Sequence, residues 1–87
     1  MFKNKKILVT GGTGSIGSEI VRQLLQYNPE VIRVFSRDES KQFSLQHENA
    51  EFKNLRYLIG DIRDKERLVY ASKDIDYIFH AAALKHV

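Results

Sequence analysis

Residues 10–17, TGGTGSIG, decide the fold of this chain because of what stands on either side of them. They follow the apolar run Ile7-Leu8-Val9, which is typical of a short buried β-strand. From the end of this stretch onward, apolar residues recur at the spacing of one helix face: Ile16, Ile20, Val21, Leu24 and Leu25. A strand, a glycine-rich turn and an amphipathic helix in this order predict the first unit of a parallel α/β fold.

The glycines of this turn have the spacing of a phosphate-binding loop. Gly12, Gly14 and Gly17 satisfy G-x-G-x-x-G, and Thr10 with Gly11, Gly14 and Gly17 satisfies T-G-x-x-G-x-x-G. A pyrophosphate can approach the main chain only where no Cβ intrudes, and a helix N-terminus offers it unpaired N–H groups. The alternative is a turn that binds nothing. We assign dinucleotide binding to Gly11, Thr13, Gly14, Ser15, Ile16 and Gly17.

The composition is that of an ordinary globular chain. The 87 residues are 43% hydrophobic and 29% charged, carry a net charge of +3 and include no cysteine, so at most one small domain is expected. No apolar run approaches the ~20 residues of a membrane span, and we expect a cytoplasmic location. The basic N-terminal residues are interpreted as a solvated terminus and not as a nucleic-acid site. Spacing of the histidines predicts no metal site.

The rest of the chain alternates between strand and helix patterns. Strands are predicted at 31–35 and 55–59, and a fourth from Asp76 into the alanines 81–83. A capping box at Ser36-Arg37-Asp38-Glu39 predicts a helix running towards His47, and Asp64 is predicted to cap a short helix. The order βαβαβαβ predicts a Rossmann-type, doubly wound parallel sheet with strand order 3-2-1-4.

This pattern corresponds to the N-terminal half of such a sheet only. We therefore expect residues 1–87 to be the N-terminal part of an NAD(P)-binding Rossmann domain, because the apolar fourth strand would otherwise present an open edge. The isolated segment is then expected to be marginally stable or self-associated. An independent four-stranded module is the alternative.

The end of the second strand indicates which dinucleotide is bound. An NAD-preferring enzyme needs a carboxylate there for the ribose 2′-hydroxyl. Here the strand is followed by Ser36 and Arg37, with Lys41 one helical turn later. Cations and a hydroxyl suit a 2′-phosphate, so NADP is predicted. Asp38 and Glu39 are expected to serve the helix N-terminus. Alternatively, Ser36 is only a cap and Arg37 only a surface residue.

Four segments together resemble one branch of the extended short-chain dehydrogenase/reductases. They are residues 9–19, 35–42, 60–68 and 80–87. The branch is the UDP-N-acetylglucosamine 4,6-dehydratases of bacterial polysaccharide and glycan biosynthesis, including the 5-inverting members. The first segment is shared by the whole superfamily, whereas Ser-Arg-Asp-Glu and Ala-Ala-Ala-Leu-Lys-His are much narrower.

The resemblance implies roles for residues that follow the third and fourth strands in the sequence. Asp61 and Ile62 would contact adenine, with the carboxylate accepting from the exocyclic amine; Asp61 could instead be a plain turn residue. Ala81 and Ala82 would let the backbone approach the cofactor ribose and nicotinamide, although close helix packing explains small residues equally well. Lys85 would lie where cofactor and substrate meet.

The resemblance also implies a reaction. In that family hydride leaves C4 of the sugar, water leaves C6, and the hydride returns to C6, with NADP regenerated in each cycle. Its catalytic acid and base groups lie downstream of this segment, so no catalytic residue is predicted here. We expect a UDP-sugar substrate and a homo-oligomer. The alternatives are a nucleotide-sugar epimerase or reductase, and a non-catalytic NADP-sensing module.

Overall fold

The computed structural model describes residues 2–11 and 13–81, in which four strands alternate with three helices. The elements are β1 Lys6–Thr10, α1 Ser15–Leu25, β2 Val31–Ser36, α2 Glu39–Glu48, β3 Leu55–Ile59, α3 Lys65–Ser72 and β4 Tyr77–His80. The predicted βαβαβαβ order is confirmed.

The strands form one parallel sheet in the order β3-β2-β1-β4, as predicted. Leu8 of β1 pairs with Arg33 of β2 on one side and with Ile78 of β4 on the other. The chain moves outward from β1 to β3 and then crosses back to β4. This reversal beside β1 is the place where open α/β sheets form a ligand-binding crevice at the carboxyl ends of their strands.

Helices cover both faces of the sheet, which makes it doubly wound. Side chains alternate along β1, so Ile7 and Val9 pack on one face with Val21 of α1, together with residues of α2. Leu8 points to the opposite face, where it packs with Ala71 of α3. All three β1 residues are fully buried, which explains why β1 is a continuous apolar run rather than an alternating one.

The second helix begins two residues later than the capping box predicts. Asp38 is its N-cap, and the Asp38 carboxylate accepts a hydrogen bond from the Lys41 N–H at 3.0 Å. Ser36 is instead the last residue of β2, because its carbonyl accepts the Gly60 N–H at 2.9 Å and it pairs with Ile59. The prediction that Ser36 caps α2 is therefore wrong, whereas the assignment of Asp38 to the helix N-terminus is confirmed.

Two further predictions need correction. Ile16, in the first turn of α1, does not join the buried stripe and is 41% exposed, whereas Val21, Leu24 and Leu25 further along the helix are buried. The fourth strand ends at His80 and does not run on into Ala81. The Asp64 cap is confirmed, since its carboxylate accepts from the Arg67 N–H.

Across residues 2–11 and 13–81, no helix has the length and apolar character needed to cross a membrane. Within the same residues β4 pairs only with β1, and Tyr77 and Ile78 are exposed at that edge.

Candidate cofactor site

A cavity of about 460 Å³ opens at the carboxyl ends of β1, β2 and β3. Eight of the residues predicted to bind the cofactor line it: Gly11, Thr13, Gly14, Ser36, Arg37, Lys41, Asp61 and Ile62. Its remaining lining residues are Phe35, Asp38, Gly60 and Arg63. The sheet topology thus brings together three sequence segments that are far apart in the chain.

The turn behind β1 is shaped by Gly11. Its φ of 69° lies in the left-handed region that favours glycine. In this conformation the Gly11 N–H donates to the Phe35 carbonyl at 2.8 Å, and the Gly11 carbonyl accepts the Gly14 N–H at 3.2 Å. The chain is thereby turned from the sheet edge into α1, which begins at the cavity wall.

The N-terminus of α1 differs from those of the other two helices. Its N-cap is Gly14, so no side chain caps the first turn, and that turn contains no acidic residue. By contrast, Asp38 and Asp64 cap α2 and α3, and Glu39 and Glu66 lie in their first turns. The N–H groups and positive dipole end of α1 therefore lack protein carboxylates, as an anion-binding helix terminus requires.

A polar network joins the glycine turn to β2, α2 and β3. The Thr13 and Ser36 hydroxyl oxygens are 3.2 Å apart. The Gln42 amide nitrogen donates to the Ser36 hydroxyl at 3.1 Å and to the Leu58 carbonyl at 2.8 Å. Ser36 and Gln42 are both buried, with 7% and 4% of their surface exposed. The Ser36 hydroxyl, and through it the Thr13 hydroxyl, is therefore held in place by a buried side chain.

The charged wall of the cavity contains three cations and two carboxylates: Arg37, Lys41, Arg63, Asp38 and Asp61. Arg63 holds Asp61 in a fork, with its Nη2 2.7 Å from Oδ2 and its backbone N–H 2.9 Å from Oδ1. Arg37 approaches the same carboxylate at 3.5 Å. Hydrogen bonds from the Arg63 side chain and backbone, together with both positive charges, hold the pKa of Asp61 well below its usual range.

Gly60 lets β3 approach the aromatic floor of the cavity. A Cβ added there would lie 2.7 Å from Cζ of Phe35 and 2.7 Å from Cγ of Arg67. Phe35 is fully buried, so its ring cannot move aside freely. Gly60 is therefore required by close approach.

Six predicted site residues lie outside the cavity wall or outside the described part of the chain. Ser15 and Ile16 are exposed on the first turn of α1, where backbone N–H groups and not side chains would face a ligand. Gly17 is buried within α1, and Ala81 is buried against the sheet. Ala82 and Lys85 lie outside the described residues.

The carboxyl ends of β1 and β4 are joined by a side-chain contact. The Thr10 hydroxyl lies 2.9 Å from Nδ1 of His80, and Thr10 is fully buried. His80 thus lies beside the crevice between these two strands.

Gln42 and Arg63 are among the site residues that sequence reasoning missed. Gln42 sits in a helix with little amphipathic pattern, and only its position among the apolar residues facing the sheet could have marked it as buried. Arg63 follows Asp61 by two residues, a spacing at which its side chain can reach the carboxylate. Both signals are weak, because each depends on how a loop or helix docks.

A family profile described as "Polysaccharide biosynthesis protein" matches residues 7–87. The chain is 52% identical to the UDP-N-acetylglucosamine 4,6-dehydratase (inverting) of Campylobacter jejuni, over all of this chain and 26% of that enzyme. It is 58% identical to the "uncharacterized membrane protein MJ1061" of Methanocaldococcus jannaschii, over 99% of this chain and 26% of that protein. It is also 43% identical to the UDP-glucose 4-epimerase of Rickettsia bellii, over all of this chain and 26% of that enzyme.

Two solved structures share the fold. Pen from Bacillus thuringiensis superposes with a TM-score of 0.94 at 54% identity, over all of this chain and 27% of that one. WbmF from Bordetella bronchiseptica, solved in complex with NAD+ and UDP, superposes with a TM-score of 0.72 at 25% identity, over 91% of this chain and 23% of that one. The chain thus spans about a quarter of the length of the curated relatives it matches.

Proposed function

The chain belongs to the polysaccharide biosynthesis protein family, and we propose that its whole protein is an NADP-dependent UDP-N-acetylglucosamine 4,6-dehydratase, a lyase. The chain would form the N-terminal part of that enzyme's dinucleotide-binding domain. Support comes from the Campylobacter dehydratase, which is 52% identical across the whole of this chain.

The observation that carries the proposal is the anion-binding character of one cavity. The uncapped N-terminus of α1 meets the glycine turn there, and Arg37 and Lys41 line the same cavity. A dinucleotide has a pyrophosphate to match the helix terminus and, in NADP, a 2′-phosphate to match the two cations. When bound, the nicotinamide cofactor supplies a reversible hydride acceptor.

The preference for NADP over NAD rests on Ser36, Arg37 and Lys41. Arg37 is largely exposed, so its guanidinium can turn towards an incoming phosphate. The two carboxylates that line the cavity already have protein partners, since Asp38 caps α2 and Asp61 is held by Arg63. WbmF has been solved with NAD+, at lower identity to this chain than the dehydratase. Direct titration of both cofactors decides between them.

Further contacts follow from the same placement. Ile62 lines the cavity beside Asp61, and these two residues would hold the adenine. Ala81 and Ala82 would border the ribose and nicotinamide. Lys85 would reach both the cofactor and the UDP-sugar. A cytoplasmic location and a homo-oligomeric enzyme stay predictions.

A second candidate, UDP-glucose 4-epimerase, is favoured by one observation. The Rickettsia bellii epimerase is 43% identical across the whole of this chain. Both activities begin with removal of hydride from C4 of a UDP-sugar, so the dinucleotide-binding residues do not separate them.

Product analysis on the full-length protein separates the candidates. UDP-N-acetylglucosamine and UDP-glucose are incubated separately with the protein, and the products are analysed by mass spectrometry. A dehydratase lowers the mass of UDP-N-acetylglucosamine by one water, whereas an epimerase leaves the mass unchanged and alters the retention time. Substrate deuterated at C4 adds a second criterion, since the proposed reaction transfers the label to C6.

The matched control is the Gly14→Val variant, which is expected to fold but not to bind a dinucleotide. Loss of turnover in this variant would tie the activity to the cavity. A protein that binds neither NADP nor NAD would overturn the proposal. A C4 epimer as product would replace the dehydratase by the epimerase.

A further inference from the structure

We propose that Gln42 is a positioning residue for cofactor recognition. Its amide fixes the Thr13 and Ser36 hydroxyls so that the pair presents one O–H donor to the cavity, where a phosphate oxygen can accept it. This inference rests on the proposed function, because it explains how the polar side of the same cavity would favour a phosphorylated ribose.

The Gln42 amide is fixed in one orientation by its neighbours. Its nitrogen lies 2.8 Å from the Leu58 carbonyl oxygen, 3.3 Å from the Ser36 carbonyl oxygen and 3.1 Å from the Ser36 hydroxyl oxygen. Backbone carbonyls can only accept hydrogen bonds, so the NH₂ group must face them. With 4% of its surface exposed, Gln42 has little room to turn its amide over.

The Thr13 and Ser36 hydroxyls carry two protons between them. Because the Gln42 NH₂ group can only donate hydrogen bonds, the Ser36 hydroxyl oxygen accepts in the bond between them. The Thr13 and Ser36 hydroxyls share one hydrogen bond at 3.2 Å, which uses one of their two protons. The second proton has no acceptor among the described hydrogen bonds of this pair. Both residues line the cavity, so whichever hydroxyl keeps that proton can donate it inward.

An O–H donor at this place favours a phosphate oxygen as its ligand. A phosphate oxygen only accepts, and a hydrogen bond to a charged acceptor is about twice as strong as one between neutral groups. A ribose hydroxyl both donates and accepts, and it carries no charge. The hydroxyl pair also lines the same cavity as Arg37 and Lys41. The Gln42 amide should therefore raise affinity for NADP more than affinity for NAD.

Without its hydrogen bonds, Gln42 is an unfavourable residue for this position. Gln42 and Leu45 are the two buried residues of α2, and they pack it against the sheet. An apolar side chain would contribute more to that packing than a buried amide does. The contribution of the amide lies in the acceptors it holds, two of which belong to Ser36.

The test is Gln42→Met in the full-length protein, a substitution of similar size without a donor. Dissociation constants for NADP and NAD are measured by calorimetry. We expect the ratio of NADP to NAD affinity to fall by about three- to tenfold, the scale of one hydrogen bond. Gln46→Met is the matched control, since it makes the same change on the exposed side of the same helix and should leave the ratio unchanged.

A double-mutant cycle with Ser36→Ala distinguishes positioning from a general loss of stability. If Gln42 acts through the Ser36 hydroxyl, adding Gln42→Met to Ser36→Ala should not lower the ratio further. Ser36→Ala alone tests the same inference if Gln42→Met does not fold, and it should lower the ratio by a similar factor.

An unchanged ratio in Gln42→Met or in Ser36→Ala would overturn this inference. It would leave the proposed function standing, provided that Arg37→Ala still weakens NADP binding selectively. Failure of the unmodified protein to bind either dinucleotide would instead overturn the proposed function, so the two failures are distinguishable.

Discussion

The carboxylate of Asp61 lies 3.5 Å from the guanidinium of Arg37. The family resemblance implied that Asp61 contacts the adenine, and the residues at the end of β2 predicted that Arg37 contacts the 2′-phosphate. Their contact shows that both ends of the proposed cofactor site share one electrostatic environment. Arg63 binds the same carboxylate more closely, at 2.7 Å, and so compensates its charge. Arg37 is thereby less firmly committed to Asp61 and can meet an incoming phosphate.

We expect Arg37→Ala to weaken NADP binding and to leave NAD binding nearly unchanged. The guanidinium would lose a charge-assisted hydrogen bond to the 2′-phosphate, which corresponds to roughly 1.5–3 kcal/mol. NAD has no phosphate at that position. Calorimetric titration of both cofactors against the two proteins measures the difference.

Arg22→Ala is the control for this prediction, because Arg22 is an exposed arginine on α1 that pairs with Glu19 away from the cavity. It should bind both cofactors like the unmodified protein. Equal losses for NADP and NAD in Arg37→Ala would contradict the assignment of Arg37 to the 2′-phosphate.

Asp61 should make the stability of the fold depend on pH in the acid range. Hydrogen bonds from Arg63 lower the pKa of Asp61 in the folded state, whereas in the unfolded chain it is about 3.9. The contribution of the charged carboxylate is therefore fully present above pH ~4 and is lost as the pH falls below that value. We expect the stability difference between the unmodified protein and Asp61→Asn to shrink between pH 6 and pH 3.

Chemical unfolding at several pH values measures that difference. Asp74→Asn is a suitable comparison, since Asp74 is exposed and adopts a φ of 62° that asparagine also tolerates. If the stability difference between the unmodified protein and Asp61→Asn stays constant over this pH range, the ion pair does not contribute to folding.

The parts of the fold that depend on local signals were predictable from the sequence. The third strand was predicted at 55–59 and is found at Leu55–Ile59, because an apolar run bounded by turn residues marks both of its ends. Asp64 was predicted to cap α3 and does so. The strand order followed from the alternation of elements and the handedness of crossovers.

What the sequence did not predict depends on contacts between distant segments. Ser36 has the spacing of a helix cap, but its pairing with Ile59 of β3 keeps it in the sheet. Gln42 resembles any polar helix residue until α2 docks and its amide reaches the Leu58 carbonyl. The location of the cavity was predictable from the sequence, whereas the hydrogen bonds that orient its lining side chains were not.

Gly14 and Gly11 should respond differently to substitution. Gly14 has a φ of −74° and a ψ of 174°, a conformation open to any residue, and it lines the cavity. We expect Gly14→Val to keep the circular dichroism of the unmodified protein and to lose dinucleotide binding, because its side chain would occupy the space that a pyrophosphate needs.

Gly11→Ala is the counterpart, because the φ of Gly11 is 69°. A Cβ in that conformation is strained by roughly 1–2 kcal/mol, so the free energy of unfolding should fall by about that amount.

Retained dinucleotide affinity in Gly14→Val would mean that the turn has a structural role only.

Gly60→Ala should destabilise the fold and weaken dinucleotide binding together. The added Cβ would lie 2.7 Å from Cζ of Phe35, a fully buried ring that also lines the cavity. Relieving this overlap requires shifts in a packed core, which typically lower stability by about 1–3 kcal/mol. The Phe35 carbonyl accepts the Gly11 N–H, so a shift of Phe35 would also disturb the turn that is proposed to bind the phosphates.

Thermal unfolding and cofactor titration of Gly60→Ala measure both effects, and Phe35→Leu provides the test of their cause. Leucine lacks the ring atoms that approach Gly60, so Gly60→Ala should lower stability less in the Phe35→Leu background than in the unmodified protein. The Cγ of Arg67 also lies 2.7 Å from the added Cβ, so part of the loss should remain in the Phe35→Leu background. Equal losses in both backgrounds would mean that Arg67 or the backbone, and not the Phe35 ring, makes glycine necessary at this position.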